Sequence, residues 1–106
     1  MKLIYAIVNN DDTYAVSKGL QAEGIRATKL STTGGFLLKG NTTYMICCDD
    51  SLVDKVIEIC KTYSKKRKQT VSSASVLGPE SGDGTVEVTI GGATIFVTDI
   101  ERFEQV

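Results

Sequence analysis

Residues 25–43 run Ile-Arg-Ala-Thr-Lys-Leu-Ser-Thr-Thr-Gly-Gly-Phe-Leu-Leu-Lys-Gly-Asn-Thr-Thr, the densest set of polar groups and flexible backbone in the chain. Ile25 to Leu30 read as a strand, with Arg26 and Thr28 on one face and Ala27 and Lys29 on the other, because strand side chains alternate. Thr32-Thr33-Gly34-Gly35 can turn freely, since paired glycines accept positive φ and leave backbone N–H groups open to an acceptor such as an anion. Phe36 and Leu37 follow at once, so a flat apolar surface lies beside those amides, an arrangement that suits a ligand with a ring and a phosphate. Gly40-Asn41 closes the loop before a further strand, Thr42 to Cys48, and the Asn41 amide can both donate to and accept from an adenine edge. On composition alone an ordinary hairpin loop explains the stretch equally well, because Gly, Thr and Asn are common turn residues.

Working outward, residues 2–8 are apolar at both parities (Leu3, Tyr5, Ile7 and Ile4, Ala6, Val8), which predicts a central strand covered on both faces. Asn9-Asn10-Asp11-Asp12 supplies N-caps and early negative charge for a helix that ends near Glu23 and buries Tyr14, Val16 and Leu20, with Gly24 as its stop. After the Arg26 strand and its antiparallel partner, Ser51-Leu-Val-Asp54 resembles a capping box. Leu52, Val53, Val56, Ile57, Cys60 and Tyr63 then recur at helical spacing, as for a helix packed on a sheet. The run Lys61, Lys65, Lys66, Arg67, Lys68 can be read as a nucleic-acid or lipid patch. Complementing the helix dipole and solubilising the last turn is the simpler role.

Residues 69–84 read as a long mobile loop, with short strand pieces at Thr70-Val71 and Val76-Leu77. Thr85 to Ile90 alternates cleanly, and Gly91-Gly92 before the strand Ala93 to Thr98 suits a two-residue hairpin turn or a kink in one long strand. The tail from Asp99 can dock through Ile100 and Phe103. The order β-α-β-β-α-β, with an added hairpin before the last strand, is an α+β, ferredoxin-like split βαβ arrangement. Such folds host many activities, so function must be argued from the site.

Composition narrows the classes. At 106 residues the chain reads as one domain, 1–106, small enough to gain from oligomerisation. A formal net charge of −1 argues against a general nucleic-acid binder, which needs a basic field. With no histidine and three cysteines lacking C-x-x-C spacing, the usual zinc sets and His-dependent catalysis lose their donors. Thus neither an enzyme nor a metal cofactor is expected. No apolar run approaches the ~20 residues of a membrane span, and no secretory signal is visible, which points to the cytoplasm and a reduced state for the thiols.

The block from Arg26 through Leu37, then Gly40-Asn41-Thr-Thr and Gly91-Gly-Ala-Thr-Ile-Phe-Val, closely resembles the PII-like cyclic-di-AMP receptor proteins of Gram-positive bacteria, nearly end to end from Met1-Lys-Leu-Ile to Phe103-Glu-Gln. The resemblance implies a signal-transduction homotrimer that binds cyclic-di-AMP in clefts between subunits and changes its loops to signal to a downstream protein. By position it implies ligand contacts at Arg26, Ala27, Thr28, Gly35, Phe36, Leu37, Asn41, Cys47, Phe96 and Gln105. The chain departs from the family pattern in carrying Cys47 where glycine is expected, and in a shorter loop after the second helix. A PII-like trimer that binds ATP, or only a protein partner, is the main alternative. An acylphosphatase would need its phosphate loop after the first strand, where this chain has Asn9-Asn-Asp-Asp. An RNA-recognition module would need aromatic residues that Lys39-Gly-Asn-Thr-Thr-Tyr lacks.

Overall fold

A computed structural model describes residues 1–31, 40–74, 78, 82 and 84–106. Among the described residues, strands and helices follow in the order β1 (Lys2–Asn9), α1 (Thr13–Ala22), β2 (Thr28–Ser31), β3 (Asn41–Cys48), α2 (Val53–Tyr63), β4 (Arg67–Ser72), β5 (Thr85–Ile90) and β6 (Ala93–Asp99). Short 3-10 turns, Asn10–Asp12 and Asp50–Leu52, introduce the two helices. The main sheet has the order β2-β3-β1-β6, all antiparallel, and β4 and β5 form a separate two-stranded ribbon. This is the ferredoxin-like arrangement expected from the pattern, with the additional strand pair placed before the last strand.

β1 is central because it hydrogen-bonds on both sides, to β3 and to β6. Its inner residues Ile4, Ala6 and Val8 are almost wholly buried with Tyr44, Ile46 and Cys48 of β3 and with Val16, Leu20, Val56, Ile59 and Cys60 of the helices. Burying an aliphatic side chain of this size contributes about 1.5–3 kcal/mol, so this one layer between sheet and helices dominates cohesion. The helices approach closely at Gly19, where a Cβ would lie 2.7 Å from the Tyr63 ring and 2.8 Å from Ile59. Tyr44 spans the same layer, donating from its hydroxyl to the Thr13 carbonyl at 2.9 Å and lying 2.6 Å from the Ser17 hydroxyl. Burial raises its pKa above the usual tyrosine value, and the Ser17 contact opposes the rise.

Several expectations are corrected. Tyr14 is 76% exposed, because α1 turns Val16, Gly19 and Leu20 inward, and the Lys18 ammonium sits 5.6 Å from its ring centre. Strand two begins at Thr28 rather than Ile25. The cause lies at the end of α1: Gly24, at φ +70°, donates to Gln21 O at 3.0 Å, and Ile25 donates to Leu20 O at 2.9 Å. That is a Schellman cap, and it spends Ile25 on the core against Leu20.

The Ser51–Asp54 capping box does not form. α2 starts at Val53 without a side-chain cap, and the 3-10 turn before it is closed by Leu52 N donating to Asp49 O at 2.9 Å. On the predicted α2 stripe Val56 and Cys60 are buried, whereas Leu52 and Tyr63 stay substantially exposed, and Ile59, off the stripe, joins the core. The expected strand piece Thr70-Val71 lies in β4, which also takes Gln69 and Ser72 from the predicted loop, while the piece Val76-Leu77 lies outside the described residues. Gly91-Gly92 is the kink rather than the hairpin turn: β5 pairs with β4, and β6 leaves to pair with β1. Of the basic run, Lys61 alone is in the last turn of α2; Arg67 and Lys68 are strand residues, ion-paired with Asp12 and Glu87.

Candidate functional site

The alternation of β1 and β3 leaves a second face on the sheet, away from both helices. Direct cross-strand partners project to the same face, so register alone maps it. One row runs Thr28, Met45, Tyr5, Phe96 across all four strands, a second runs Leu30, Thr43, Ile7, Thr94, and a third runs Cys47, Leu3, Thr98. Leu3, Tyr5, Ile7 and Met45 are only half-buried, and Phe96 is 57% exposed. The both-parity pattern of β1 predicted cover on two faces; within the chain the described residues cover one.

The sequence-predicted site residues fall on and around this open face. Thr28 is exposed on β2 at one edge, and Phe96 stands in the same row on β6 at the other edge, about 14 Å away at the usual strand spacing. Cys47 is exposed near the end of β3 opposite Leu3. Arg26 and Ala27 are exposed in the link between the α1 cap and β2, so Arg26 is not a strand residue sharing a face with Thr28. Asn41 opens β3 opposite Asn9, about 20 Å along the strand from Cys47. Gln105 is exposed in the tail, which leaves β6 at the Cys47 end of the sheet, where Ile100 N donates to Met1 O at 3.4 Å. Gly35, Phe36 and Leu37 lie outside the described residues. One chain therefore gathers Thr28, Cys47 and the approach from Arg26 toward one end of the sheet, sets Asn41 at the other end, and places Phe96 on the far edge.

The cysteines differ by strand parity and depth. Burial pushes the Cys60 thiol up to about 11 and raises that of Cys48 as well, so both are neutral thiols in the core at ordinary pH. Among the described residues no three His, Cys, Asp or Glu side chains converge as a metal set. No helix among those residues is long and apolar enough to cross a membrane.

Two groups were not anticipated from sequence. Tyr5, Met45 and Leu3 make the apolar centre of the open face, and only the parity of β1 hinted at them. The second lies at the end of the sheet near Asn41, where Asn10 N donates to Gly40 O at 3.1 Å and the Thr42 hydroxyl donates to Asn10 Oδ1 at 2.5 Å. Two residues on, the buried Asp12 carboxylate meets the Arg67 guanidinium at 2.9 Å and 3.3 Å through two separate nitrogens. Nothing in the order of residues announces a pair 55 positions apart.

Among the described residues the ferredoxin-like sheet keeps one apolar face open, a surface of the kind that takes a binding partner. The profile of the cyclic-di-AMP receptor family matches residues 1–106, and the chain belongs to that family. It is also similar to a solved structure described as a functionally unknown protein from Pediococcus pentosaceus ATCC 25745. The two are 38% identical, covering 99% of this chain and 96% of that one, with a TM-score of 0.74.

Proposed function

We propose that this protein is a PII-like signal-transduction protein that binds cyclic-di-AMP in clefts between the subunits of a homotrimer and rearranges its loops to signal to a protein partner. In this reading residues 1–106 act as one domain in the cytoplasm of a Gram-positive bacterium. The observation that carries it is the open sheet face. Leu3, Tyr5, Ile7, Met45 and Phe96 form a contiguous apolar surface of the kind that marks an interaction site. Packing three such faces about a common axis covers that surface and draws the β2 edge of one subunit toward the β6 edge of the next. Thr28 and Phe96, too far apart to share one compact pocket within a chain, then face a common cleft.

The ligand carries two phosphates and two adenines, which suits two separated groups of contacts. Thr28, Gly35 and neighbouring amides serve phosphate; Ala27 contributes backbone beside them. Phe36, Leu37 and Phe96 offer apolar contact to the bases, Asn41 reads an adenine edge, and Gln105 reaches in from the tail. Arg26 acts by charge or by shaping the cleft, with a charge-assisted hydrogen bond contributing about 1.5–3 kcal/mol. Cys47 projects from the same face, and its side chain narrows the space for a base.

Calorimetric titration with cyclic-di-AMP, with cyclic-di-GMP and ATP in parallel at the same salt, tests the ligand; sedimentation tests the trimer. Selective binding at micromolar or tighter, about −8 kcal/mol, is the expected result. Heat with ATP and none with cyclic-di-AMP would refute the ligand assignment and favour energy sensing. Silence with every nucleotide would leave a trimer that answers only to a protein.

A further inference from the structure

The 3-10 turn between β1 and α1 touches two parts of the molecule at once. On one side Asn10 holds the start of β3, through the Gly40 carbonyl and the Thr42 hydroxyl, directly flanking Asn41. On the other side Asp12 holds Arg67, the first residue of β4, and Arg67 also donates to the Lys65 carbonyl at 3.1 Å. The turn between these two grips is itself braced: Asn9 Oδ1 accepts from Asp11 N at 2.8 Å, and the Thr13 hydroxyl donates to Asn10 O at 2.9 Å.

We propose that Asn10 and Asp12 are positioning residues that join the Asn41 end of the ligand site to the root of the β4–β5 ribbon, so that a change at one is felt at the other. The proposal rests on the cyclic-di-AMP reading for its ligand, though the link itself exists without one. The physical basis is that both grips are all-or-none. Asp12 is 8% exposed at its side chain, so withdrawal of Arg67 leaves a desolvated carboxylate with its main partner gone, and a partial displacement gains nothing. Thr42 is likewise buried and needs the Asn10 oxygen for its hydroxyl. A three-residue turn with both ends held has little room to absorb movement at either end. Coupling is thus carried by a physical element rather than by proximity.

Hydrogen exchange on the full chain decides the matter in two stages. Without ligand, Arg67→Met should speed exchange not only in β4 but also at the amides of residues 40–42 and at Asn10, by about fivefold, the low end of typical coupling. Asn10→Ala should in turn speed exchange in residues 67–70. Arg67→Lys keeps the cation but loses the two-pronged contact. It should shift the same amides less, and it replaces Arg67→Met if that variant does not fold. Effects confined to the mutated side in both directions would overturn the link. With cyclic-di-AMP, the wild type should alter exchange in β4, and Arg67→Met should lose most of that response while its affinity stays within about threefold. A full β4 response in Arg67→Met would also overturn the link. Absence of binding heat from the wild type refutes the ligand reading instead, and the ligand-free exchange then decides the link by itself.

Discussion

Replacement of Gly91 by alanine tests how the ribbon is rooted in the domain. Gly91 sits at φ +86°, where an L side chain costs about 1–2 kcal/mol. An added Cβ would also land on the Lys65 carbonyl oxygen and 2.6 Å from Arg67 Nη1. The first obstacle is backbone at the end of α2, so relief requires moving the helix exit; overpacking of this sort costs about 1–3 kcal/mol. Together the terms give a loss of roughly 2–5 kcal/mol, before any weakening of the Arg67–Asp12 pair. Gly92 is an internal control. Its φ is +79°, but the atoms nearest a Cβ there belong to the Lys66 side chain, the first at 3.0 Å, which can swing aside, so the backbone cost dominates. Gly24, at φ +70° with nothing within 4 Å of an added Cβ, is a second control. In urea, Gly91→Ala should therefore lose about 2 kcal/mol more than Gly92→Ala, a midpoint lower by about 1 M. Exchange at β4 and β5 amides should locate the loss at the ribbon. Equal stability of Gly91→Ala and Gly92→Ala, within about 0.5 kcal/mol, would refute the close approach of Gly91 to Lys65 and Arg67.

Four further outcomes are expected. Alanine at Arg26 or at Asn41 should weaken cyclic-di-AMP binding at least about tenfold by calorimetry, a loss near 1.4 kcal/mol; unchanged affinity in both would sink the site assignment. Tyr5→Lys puts a charge at the centre of the open face and should convert the proposed trimer to monomer in sedimentation, whereas a variant that still sediments as a trimer would show that this face is not the interface. Because the folded-state pKa of Cys60 lies above its ordinary value, the folded protein holds more protons than the unfolded chain between pH 9 and about 11. Stability from this group is therefore full below pH 9 and falls by about 2–3 kcal/mol on rising through pH 11, a fall that Cys60→Ala should lack in urea titrations at stepped pH. Finally, iodoacetamide should label Cys47 in the native protein well before Cys48 and Cys60, and ligand should slow that labelling; mass mapping of the labelled peptide reads both.

Much of the fold was legible because local signals agreed with one another. The strand expected at Thr42 to Cys48 forms as β3, and its alternation sets Tyr44 and Ile46 inward and Thr43, Met45 and Cys47 outward, since one face of the strand lines a dry core. Where the reading failed, tertiary context won over local pattern. Tyr14 carries the chemistry of a core residue but sits off the inward stripe of α1, and Ser51–Asp54 has capping-box residues on a segment that instead takes a 3-10 turn. Gly91-Gly92 reads locally as a turn, yet β5 takes its partner from the strand before it, β4, rather than from β6 after the glycines. The candidate site was legible as a set of residue types and a family resemblance, not as an arrangement. That Thr28 and Phe96 occupy opposite edges of one row follows from strand order, and the Asp12–Arg67 pair follows from folding back of the ribbon; neither has a local signature.

The ribbon rooted at Gly91 also has the mechanics of a lever. Its six-residue strands extend about 20 Å from a pivot that is crowded by Lys65 and Arg67, so the root is stiff while the reach is long. A tilt of about 10° at such a pivot carries the far end of the strand pair through roughly 3.5 Å, given ~3.4 Å of rise per residue. A displacement of a few tenths of an ångström beside Asp12 would be magnified in this way at the far end of the ribbon.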